Sequence, residues 1–314
     1  MAELTNELFP QLEPFERGWL ALDHGHQMHW QLSGNPAAEP VIWIHGGPGS
    51  SATPLHRRLF DPGRFLIIQH DQRGCGASEP QGSIEANTAA ILVADIERLR
   101  LALGVSRWSV AGGSWGATLA LLYAQAYPDA VKRLMLRSPF LATAAEINGF
   151  LGSPRSSCLA SWERLQHECI GLGGSTILDT SYQVFCLEND VAAQIQLARA
   201  WVQYEAAMDA YPVPVAPLSR FNDRALRARY RVHVHYLKHQ CFVEQPILTH
   251  PEAFDGKAVT LVHGDQDALC PFGNSLAIAR AVPHAHLRRV AGAGHNMVEP
   301  SMLSALVREI QAWN

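Results

Sequence analysis

The sequence lacks several features that would assign it to a special class of protein. Its 314 residues carry a net charge of only −4 and no long basic run, so a nucleic-acid partner is not expected. No apolar run reaches the roughly 18 residues that span a bilayer, so no membrane partner is expected either. Residues 1–7 are acidic and contain no hydrophobic signal-peptide core, which favours a cytoplasmic location.

Cysteine is sparse and irregularly spaced, which restricts the chemistry further. Six cysteines occur, and none belongs to a C-x-x-C pair. This pattern favours reduced thiols over a disulfide framework or a zinc site. The sequence as a whole implies neither a metal nor a cofactor. Internal repeats and low-complexity segments are also missing. The length suits one large α/β domain with an insertion, or two modest domains.

The most informative stretch is 112–116, which reads Gly-Gly-Ser-Trp-Gly. A short strand pattern precedes it at 107–111, and a helix-prone segment without breakers follows at 117–124. A serine between glycines at a strand-to-helix turn is the nucleophile elbow of α/β-hydrolases. The turn is too tight for flanking side chains, and it lifts the serine oxygen clear of the sheet. The pattern therefore predicts that Ser114 is a nucleophile.

Short apolar runs elsewhere predict the sheet around this turn. They lie at 41–44, 65–68, 134–136 and 259–262. Continuous apolar runs are typical of strands that are covered on both faces. We therefore expect the α/β-hydrolase fold, with a mostly parallel central sheet and helices on both faces. An antiparallel edge hairpin is expected over 18–33, and helices over 91–103 and 301–313.

The pattern changes between about residues 140 and 245. This part is helix-prone, is rich in Trp, Tyr, His and Arg, and contains no strand–turn–helix unit. It is interpreted as a helical cap inserted into the sheet domain. The expected boundaries are 1–139 for the first part of the hydrolase domain, 140–250 for the cap, and 251–314 for the second part.

A nucleophilic serine needs a base, and the base needs an acid that orients it. In α/β-hydrolases the three follow in the order Ser, Asp, His. His295 lies on a loop of small residues after the last predicted strand and is the expected base. Two carboxylates follow the strand at 259–262, so the pattern alone leaves both Asp265 and Asp267 open as the acid.

Backbone amides are expected to stabilise the oxyanion that forms during acyl transfer. The elbow provides one amide, that of Trp115. The glycine-rich loop at 45–49, which reads HGGPG, can provide the second from Gly46 or Gly47. Glycine lets the backbone approach a substrate oxygen without a side-chain clash.

Four motifs together resemble those of the prolyl aminopeptidases, or proline iminopeptidases, of the α/β-hydrolase superfamily. They are HGGPG at 45–49, DQRG-x-G-x-S at 71–78, GGSWG-x-TLAL-x-YAQ-x-xP at 112–128, and HG-x-x-D-x-x-CP at 263–271. The resemblance spans nearly the whole chain, densely in the hydrolase domain and loosely in the cap. It implies a triad of Ser114, Asp267 and His295, with Asp71 and Arg73 bracing loops rather than reacting.

Members of this family release an N-terminal proline and bind its ammonium with glutamates of the cap. The first glutamate lies in a W-x-x-W-E motif, which resembles WVQYE at 201–205, so Glu205 is the implied amine ligand beside Trp201 and Tyr204. The second lies in E-N-H-Y-F, where this chain has HVHYL at 233–237. Tyr236 matches the motif, but His233 replaces the glutamate and would repel an ammonium if it were cationic.

A run of cap arginines offers a further possibility. On a helix, Arg220, Arg224, Arg227 and Arg231 would share one face. Such a face is either solvated or a site for an anionic group of the substrate.

Together these patterns predict a serine hydrolase of prolyl-aminopeptidase type. It would release an N-terminal proline or similar small residue through an acyl-enzyme, from a small-molecule or short-peptide substrate. One alternative is an esterase or amidase that does not require a free amine, which the replaced glutamate would allow. A second alternative is a non-catalytic binding protein on a hydrolase scaffold, which the intact triad disfavours.

Overall fold

The computed structural model describes residues 7–152, 158–209 and 222–313. In these ranges the strands are β1 (Glu16–Ala21), β2 (Gln27–Gly34), β3 (Glu39–Ile44), β4 (Phe65–His70), β5 (Trp108–Gly113), β6 (Val131–Arg137), β7 (Ala258–Gly264) and β8 (His286–Val290). They form one sheet in the order β1-β2-β4-β3-β5-β6-β7-β8. Strands β3 to β8 run parallel, and the β1–β2 hairpin is antiparallel at one edge. The predicted mostly parallel sheet and its edge hairpin are confirmed.

The α-helices of the same ranges are α1 (Pro54–Arg57), α2 (Ala89–Ala102), α3 (Trp115–Ala126), α4 (Ala144–Gly152), α5 (Leu159–Gly171), α6 (Ile177–Tyr182), α7 (Val191–Asp209), α8 (Asp223–Lys238), α9 (Gly273–Ala281) and α10 (Pro300–Gln311). The predicted helices at 91–103 and 301–313 correspond to α2 and α10. Gly104 follows α2 with φ +66°, the left-handed conformation in which glycine commonly ends a helix.

Both faces of the sheet are buried, as the continuous apolar runs indicated. Strand β3 illustrates this, because alternate side chains enter different cores. Ile42 and Ile44 pack into the core that contains residues of α2 and α3. Val41 and Trp43 pack into the opposite core, together with residues of α10. The chain therefore forms the α/β-hydrolase architecture of a helix-covered sheet.

The carboxyl ends of the central strands meet at one edge of the sheet. Ile44 at the end of β3 lies opposite Gly112 of β5, and Gly113 lies opposite Arg137 at the end of β6. Arg137 in turn lies opposite Val262 of β7. Ligands of open α/β sheets bind at this edge, so the loops that follow these strands define where a site can form.

Between β6 and β7 the described residues form helices and contain no strand. Helix α8 packs directly on the glycine-rich loops of the sheet domain. A Cβ atom on Gly49, whose φ is +88°, would lie 2.3 Å from the carbonyl oxygen of Arg229. Only glycine permits so close an approach of a helix backbone. We propose that this helical segment is a cap with the predicted boundaries of 140 and 250.

The described helices do not have the character of membrane spans. None of the helices within these ranges combines the length and apolarity that crossing a bilayer requires.

Candidate active site

Ser114 occupies a strained turn between β5 and α3. Its φ and ψ are 56° and −125°, a conformation that side-chain-bearing residues seldom adopt. A Cβ atom on Gly116 would lie 2.1 Å from the carbonyl oxygen of Ile44, and one on Gly112 would lie 2.5 Å from that of Gly116. Both flanking positions therefore exclude side chains, and the strand–turn–helix context predicted for the serine is present.

His295 and Asp267 form a buried pair beside this turn. His295 Nδ1 lies 2.8 Å from Asp267 Oδ2. The amides of Leu269 and Cys270 donate to Asp267 Oδ1 at 2.9 and 2.8 Å. Burial acts to raise the pKa of Asp267, but the charge of His295 and hydrogen bonds from His263 and His295 hold it well below its usual value. The carboxylate is thus ionised and can orient the imidazole.

The other candidate acid, Asp265, has different partners. Its carboxylate lies 2.7 Å from Arg289 Nη2 and accepts a 2.8 Å hydrogen bond from the amide of Gly292. Among the described residues it makes no hydrogen bond to His295. Of the two aspartates, Asp267 is therefore the one that contacts His295 in the described ranges.

A second histidine, His263, supports the acid, and the sequence patterns gave it no role. Its Nδ1 lies 2.8 Å from Ser275 Oγ, and its Nε2 lies 3.0 Å from the carbonyl oxygen of Cys270. The same Nε2 lies 3.3 Å from Asp267 Oδ2. Because the carbonyl can only accept, Nε2 carries the proton and also faces the carboxylate. His263 begins the HG-x-x-D motif, and that spacing was the signal available in the sequence.

The Ser114 hydroxyl lies at the floor of the same site. Its Oγ contacts Cys270 Sγ at 3.8 Å, and in the described ranges no hydrogen bond joins it to His295. Hydrogen bonds of this kind are commonly long before a substrate is bound, so the separation does not conflict with proton transfer. Burial raises the pKa of the Cys270 thiol well above its usual value, so the thiol stays neutral.

The glycine-rich loop lies directly against the elbow. A Cβ atom on Gly46 would lie 3.5 Å from Ser114 Cβ, which brings the backbone of this loop beside the serine. Gly47 has φ +125°, and it lines the same cavity as Gly46 and Ser114. Trp115 begins α3, where the first amides have no partner within the helix. The three residues predicted for the oxyanion hole are therefore brought together.

A cavity of about 500 Å³ opens above Ser114 and His295, between the sheet edge and helices α4, α7 and α8. Its charged lining residues away from the serine are Arg137, Glu205, Asp209 and Arg229. Its apolar lining includes Phe140, Ile147, Phe150, Val202 and Leu237. A mostly apolar cavity with a few charged groups suits a small organic substrate.

Glu205 reaches this cavity, but it is already paired with residues of α8. Its Oε2 accepts hydrogen bonds from Arg229 Nη2 at 2.6 Å and from the Tyr230 hydroxyl at 2.8 Å. Its Oε1 faces His233 Nε2 at 3.5 Å. Burial acts to raise the pKa of Glu205, while the charge of Arg229 and the neighbouring His233 lower it overall. The carboxylate is therefore ionised, and Arg229 compensates its charge.

His233 also lines the cavity, at the position where the family motif has glutamate. Its Nδ1 lies 3.1 Å from the carbonyl oxygen of Pro48, so this nitrogen donates. Burial lowers the pKa of His233, which keeps the imidazole neutral near neutral pH. The neutral ring presents an acceptor at Nε2 and does not repel a cation.

The three aromatic residues predicted to contact the substrate do not line the cavity, which corrects that expectation. Trp201, Tyr204 and Tyr236 are fully buried. Trp201 Nε1 donates to Ser181 Oγ at 2.8 Å, so its polar edge points into the helical core. Trp201 and Tyr204 pack behind Phe150, which forms the wall itself.

Tyr236 instead links α8 to the hydrolase domain. Its hydroxyl donates to Asn87 Oδ1 at 2.7 Å, and its ring packs edge-on against Trp115 with centroids 5.1 Å apart.

The arginine that lines the cavity is not on the helix face that the sequence pattern defined. Arg227 donates to Gln194 at 2.8 Å and does not line the cavity, whereas Arg229, which lies off that face, does. Arg220 lies outside the described residues.

Comparison with known proteins places this chain in a family. The family model described as the alpha/beta hydrolase fold matches residues 39–300. The chain is 36% identical over 304 residues to a proline iminopeptidase of Xylella fastidiosa (strain 9a5c), covering 96% of this chain and 97% of that one. The chain belongs to the prolyl aminopeptidase family. With relatives named proline iminopeptidase, the protein is a hydrolase.

Two further comparisons add a second sequence relative and a structure with a similar fold. A proline iminopeptidase of Arabidopsis thaliana is 36% identical over 307 residues, covering 96% of this chain and 80% of that one. The crystal structure of a proline iminopeptidase-related protein from Thermus thermophilus superposes with a TM-score of 0.59 at 18% identity. That superposition covers 95% of this chain and 97% of the other, and it shows a shared fold.

Proposed function

We propose that the protein is a serine hydrolase that releases an N-terminal proline, or a similarly small N-terminal residue, from a short peptide or small amide. The observation that supports this most is the 2.8 Å contact of His295 with Asp267 in the cavity that contains Ser114. The relatives named proline iminopeptidase support the substrate class.

The proposed reaction begins with attack of Ser114 Oγ on the substrate carbonyl carbon, while His295 Nε2 takes the hydroxyl proton. Asp267 accepts the hydrogen bond that His295 donates from Nδ1, which stabilises the tautomer whose Nε2 can accept a proton. The amides of Trp115 and of Gly46 or Gly47 stabilise the oxyanion. These roles are supported by Ser114, His295, Gly46 and Gly47 lining one cavity, and by the contact of His295 with Asp267.

The oxyanion then collapses and the scissile C–N bond breaks. His295 Nε2 returns its proton to the leaving amine, and the acyl group remains on Ser114. A water molecule attacks this ester, gives its proton to His295, and displaces the serine oxygen, which is reprotonated. The products are a free N-terminal residue and a shortened peptide or amine.

The side of the cavity that is formed by α7 and α8 is proposed to receive the substrate ammonium. Glu205 Oε1 and His233 Nε2 both face the cavity as acceptors, since His233 is held neutral. This arrangement differs from the sequence-based expectation, in which a cationic imidazole would repel the amine.

An esterase or amidase without an amine requirement is the second candidate. The Glu205–Arg229 pair favours it, because the carboxylate implied as the amine ligand is already neutralised within the chain. A substrate without any charge would then fit the cavity equally well.

A substrate panel separates the two candidates. We would measure kcat/KM for prolyl, alanyl and N-acetylprolyl anilides and for a butyrate ester, with Ser114→Ala as the background control. The proposal expects the free prolyl anilide to be cleaved at least about 10-fold better than its N-acetyl form, the value of one charge-assisted hydrogen bond. Equal rates for the free and blocked anilides would instead establish the esterase or amidase function.

A further inference from the structure

Helix α7 directs two carboxylates into the cavity, not one. Glu205 and Asp209 are four residues apart, so they lie on the same face, about 6 Å apart along the helix axis. Both line the cavity that contains Ser114 and His295. Sequence reasoning found the first through its family motif but passed over the second.

The two carboxylates differ in their partners. Glu205 accepts hydrogen bonds from Arg229 and Tyr230, and its charge is compensated by the guanidinium. Asp209 forms no hydrogen bond or ion pair with any described residue. Asp209 is therefore the carboxylate on this wall that an incoming group can pair with.

The charge of Arg137 acts on Asp209, but the two side chains form no ion pair. Arg137 is 7% exposed, and its Nη1 donates to the backbone carbonyl of His295, so it is committed to the loop that carries this histidine. Burial raises the pKa of Asp209 even though His295 and Arg137 act in the opposite direction. An additional positive charge at this wall would stabilise the ionised carboxylate.

We propose that Asp209 is a specificity-determining residue that binds the ammonium group of the substrate's N-terminal residue. In this chain the second glutamate of the family motif is replaced by His233, which is neutral. Asp209 provides the negative charge that this replacement removes from the cavity. A protonated prolyl nitrogen has two N–H donors. One pairs with Asp209, and the other finds an acceptor at Glu205 Oε1 or His233 Nε2. This inference rests on the proposed aminopeptidase function.

The test compares three variants with the wild type on one substrate pair. Asp209→Asn removes the unpaired charge, and Glu205→Gln removes the compensated one. Asp223→Asn is the matched control, because Asp223 is a cap carboxylate that pairs with the exposed Arg199 and does not line the cavity. For each we would measure kcat/KM with free and N-acetylated prolyl anilide, and confirm folding by thermal melting.

The expected result is selective. Asp209→Asn should lower kcat/KM for the free prolyl anilide by about 10- to 100-fold, mainly through KM, and leave the N-acetyl substrate within about 3-fold. Asp223→Asn should leave both substrates unchanged. Glu205→Gln should reduce the free-amine preference by less than Asp209→Asn does.

Inhibition provides a readout that does not depend on turnover of the amide. Pyrrolidine, a secondary amine that is protonated at neutral pH, should inhibit ester hydrolysis competitively. Its inhibition constant should rise about 10-fold or more in Asp209→Asn, whereas the uncharged cyclopentanol should be unaffected by the change.

Two failures are distinguishable. If the wild type prefers the free amine but Asp209→Asn retains the whole preference and its pyrrolidine inhibition, the role of Asp209 is refuted while the proposed function stands. If the wild type shows neither preference nor inhibition by pyrrolidine, both proposals are overturned.

Discussion

Replacing Asp267 with asparagine should disable His295 as a base, because it stabilises the wrong tautomer of the imidazole. The amides of Leu269 and Cys270 hold Oδ1 at 2.9 and 2.8 Å, so the oxygen of an asparagine would take that position. The side-chain NH₂ would then occupy the Oδ2 position, 2.8 Å from His295 Nδ1. A donor at this point requires Nδ1 to accept, which moves the ring proton to Nε2.

The consequence is large because Nε2 must accept the proton of Ser114. With that nitrogen already protonated, the serine has no base. A misplaced tautomer of this kind costs about 10⁴-fold in kcat, which corresponds to about 5.5 kcal/mol of activation free energy. Substrate binding involves other walls of the cavity, so KM should change little.

The assay is steady-state hydrolysis of prolyl anilide by Asp267→Asn and by Asp265→Asn. Asp265 binds the exposed side chain of Arg289 and the amide of Gly292, so its replacement should lower kcat by less than about 10-fold. If Asp265→Asn were the more damaging change, or if Asp267→Asn kept wild-type kcat, the assignment of the acid would be refuted.

Two further predictions concern stability. Asp95→Asn should lower the free energy of unfolding by about 3–5 kcal/mol in chemical denaturation, because it removes the buried negative charge that pairs with Arg73 and turns one of its two acceptors into a donor. Asp23→Asn, which changes the half-exposed second partner, should cost less, and equal costs would contradict the argument. Burial lowers the pKa of His70 to about 3 from 6.5. The unfolded chain therefore binds the extra proton, and the contribution of His70 to stability, complete above pH 6.5, should be lost toward pH 3 by up to about 1.4 kcal/mol per pH unit. His56 should contribute in the same direction, because burial also lowers its pKa to about 3. His70→Phe should therefore reduce the slope without abolishing it, and an unchanged slope would refute the role of His70.

The sheet and the elbow could be predicted from the sequence because their signals are local. The strand run at 41–44 and the glycines around Ser114 determine the backbone within a few residues. A Cβ on Gly116 would clash with the neighbouring strand, so the sequence itself records how closely that strand packs. The acid could not be chosen from spacing alone, because Asp265 and Asp267 both follow the same strand.

The cavity wall was predicted less well because it depends on contacts between distant segments. Tyr204 was expected at the wall, yet its ring packs behind Phe150, which comes from another helix. Helical periodicity placed Arg227 on a shared arginine face that could bind an anionic group, whereas the arginine that forms an ion pair with Glu205 is Arg229. Asp209 belongs to no motif, and only the course of α7 across the cavity shows that it is a candidate ligand.

The central claim, that Ser114 is the nucleophile of a His295–Asp267-assisted hydrolase, is tested most directly by covalent labelling. A fluorophosphonate probe should modify one residue, located by mass spectrometry of the digested protein, and that residue should be Ser114. Ser114→Ala should lose both the label and prolyl-anilide turnover, since the catalysis that remains without a triad serine is only about 10³- to 10⁴-fold over water. A label on another residue, or full turnover by Ser114→Ala, would contradict the account.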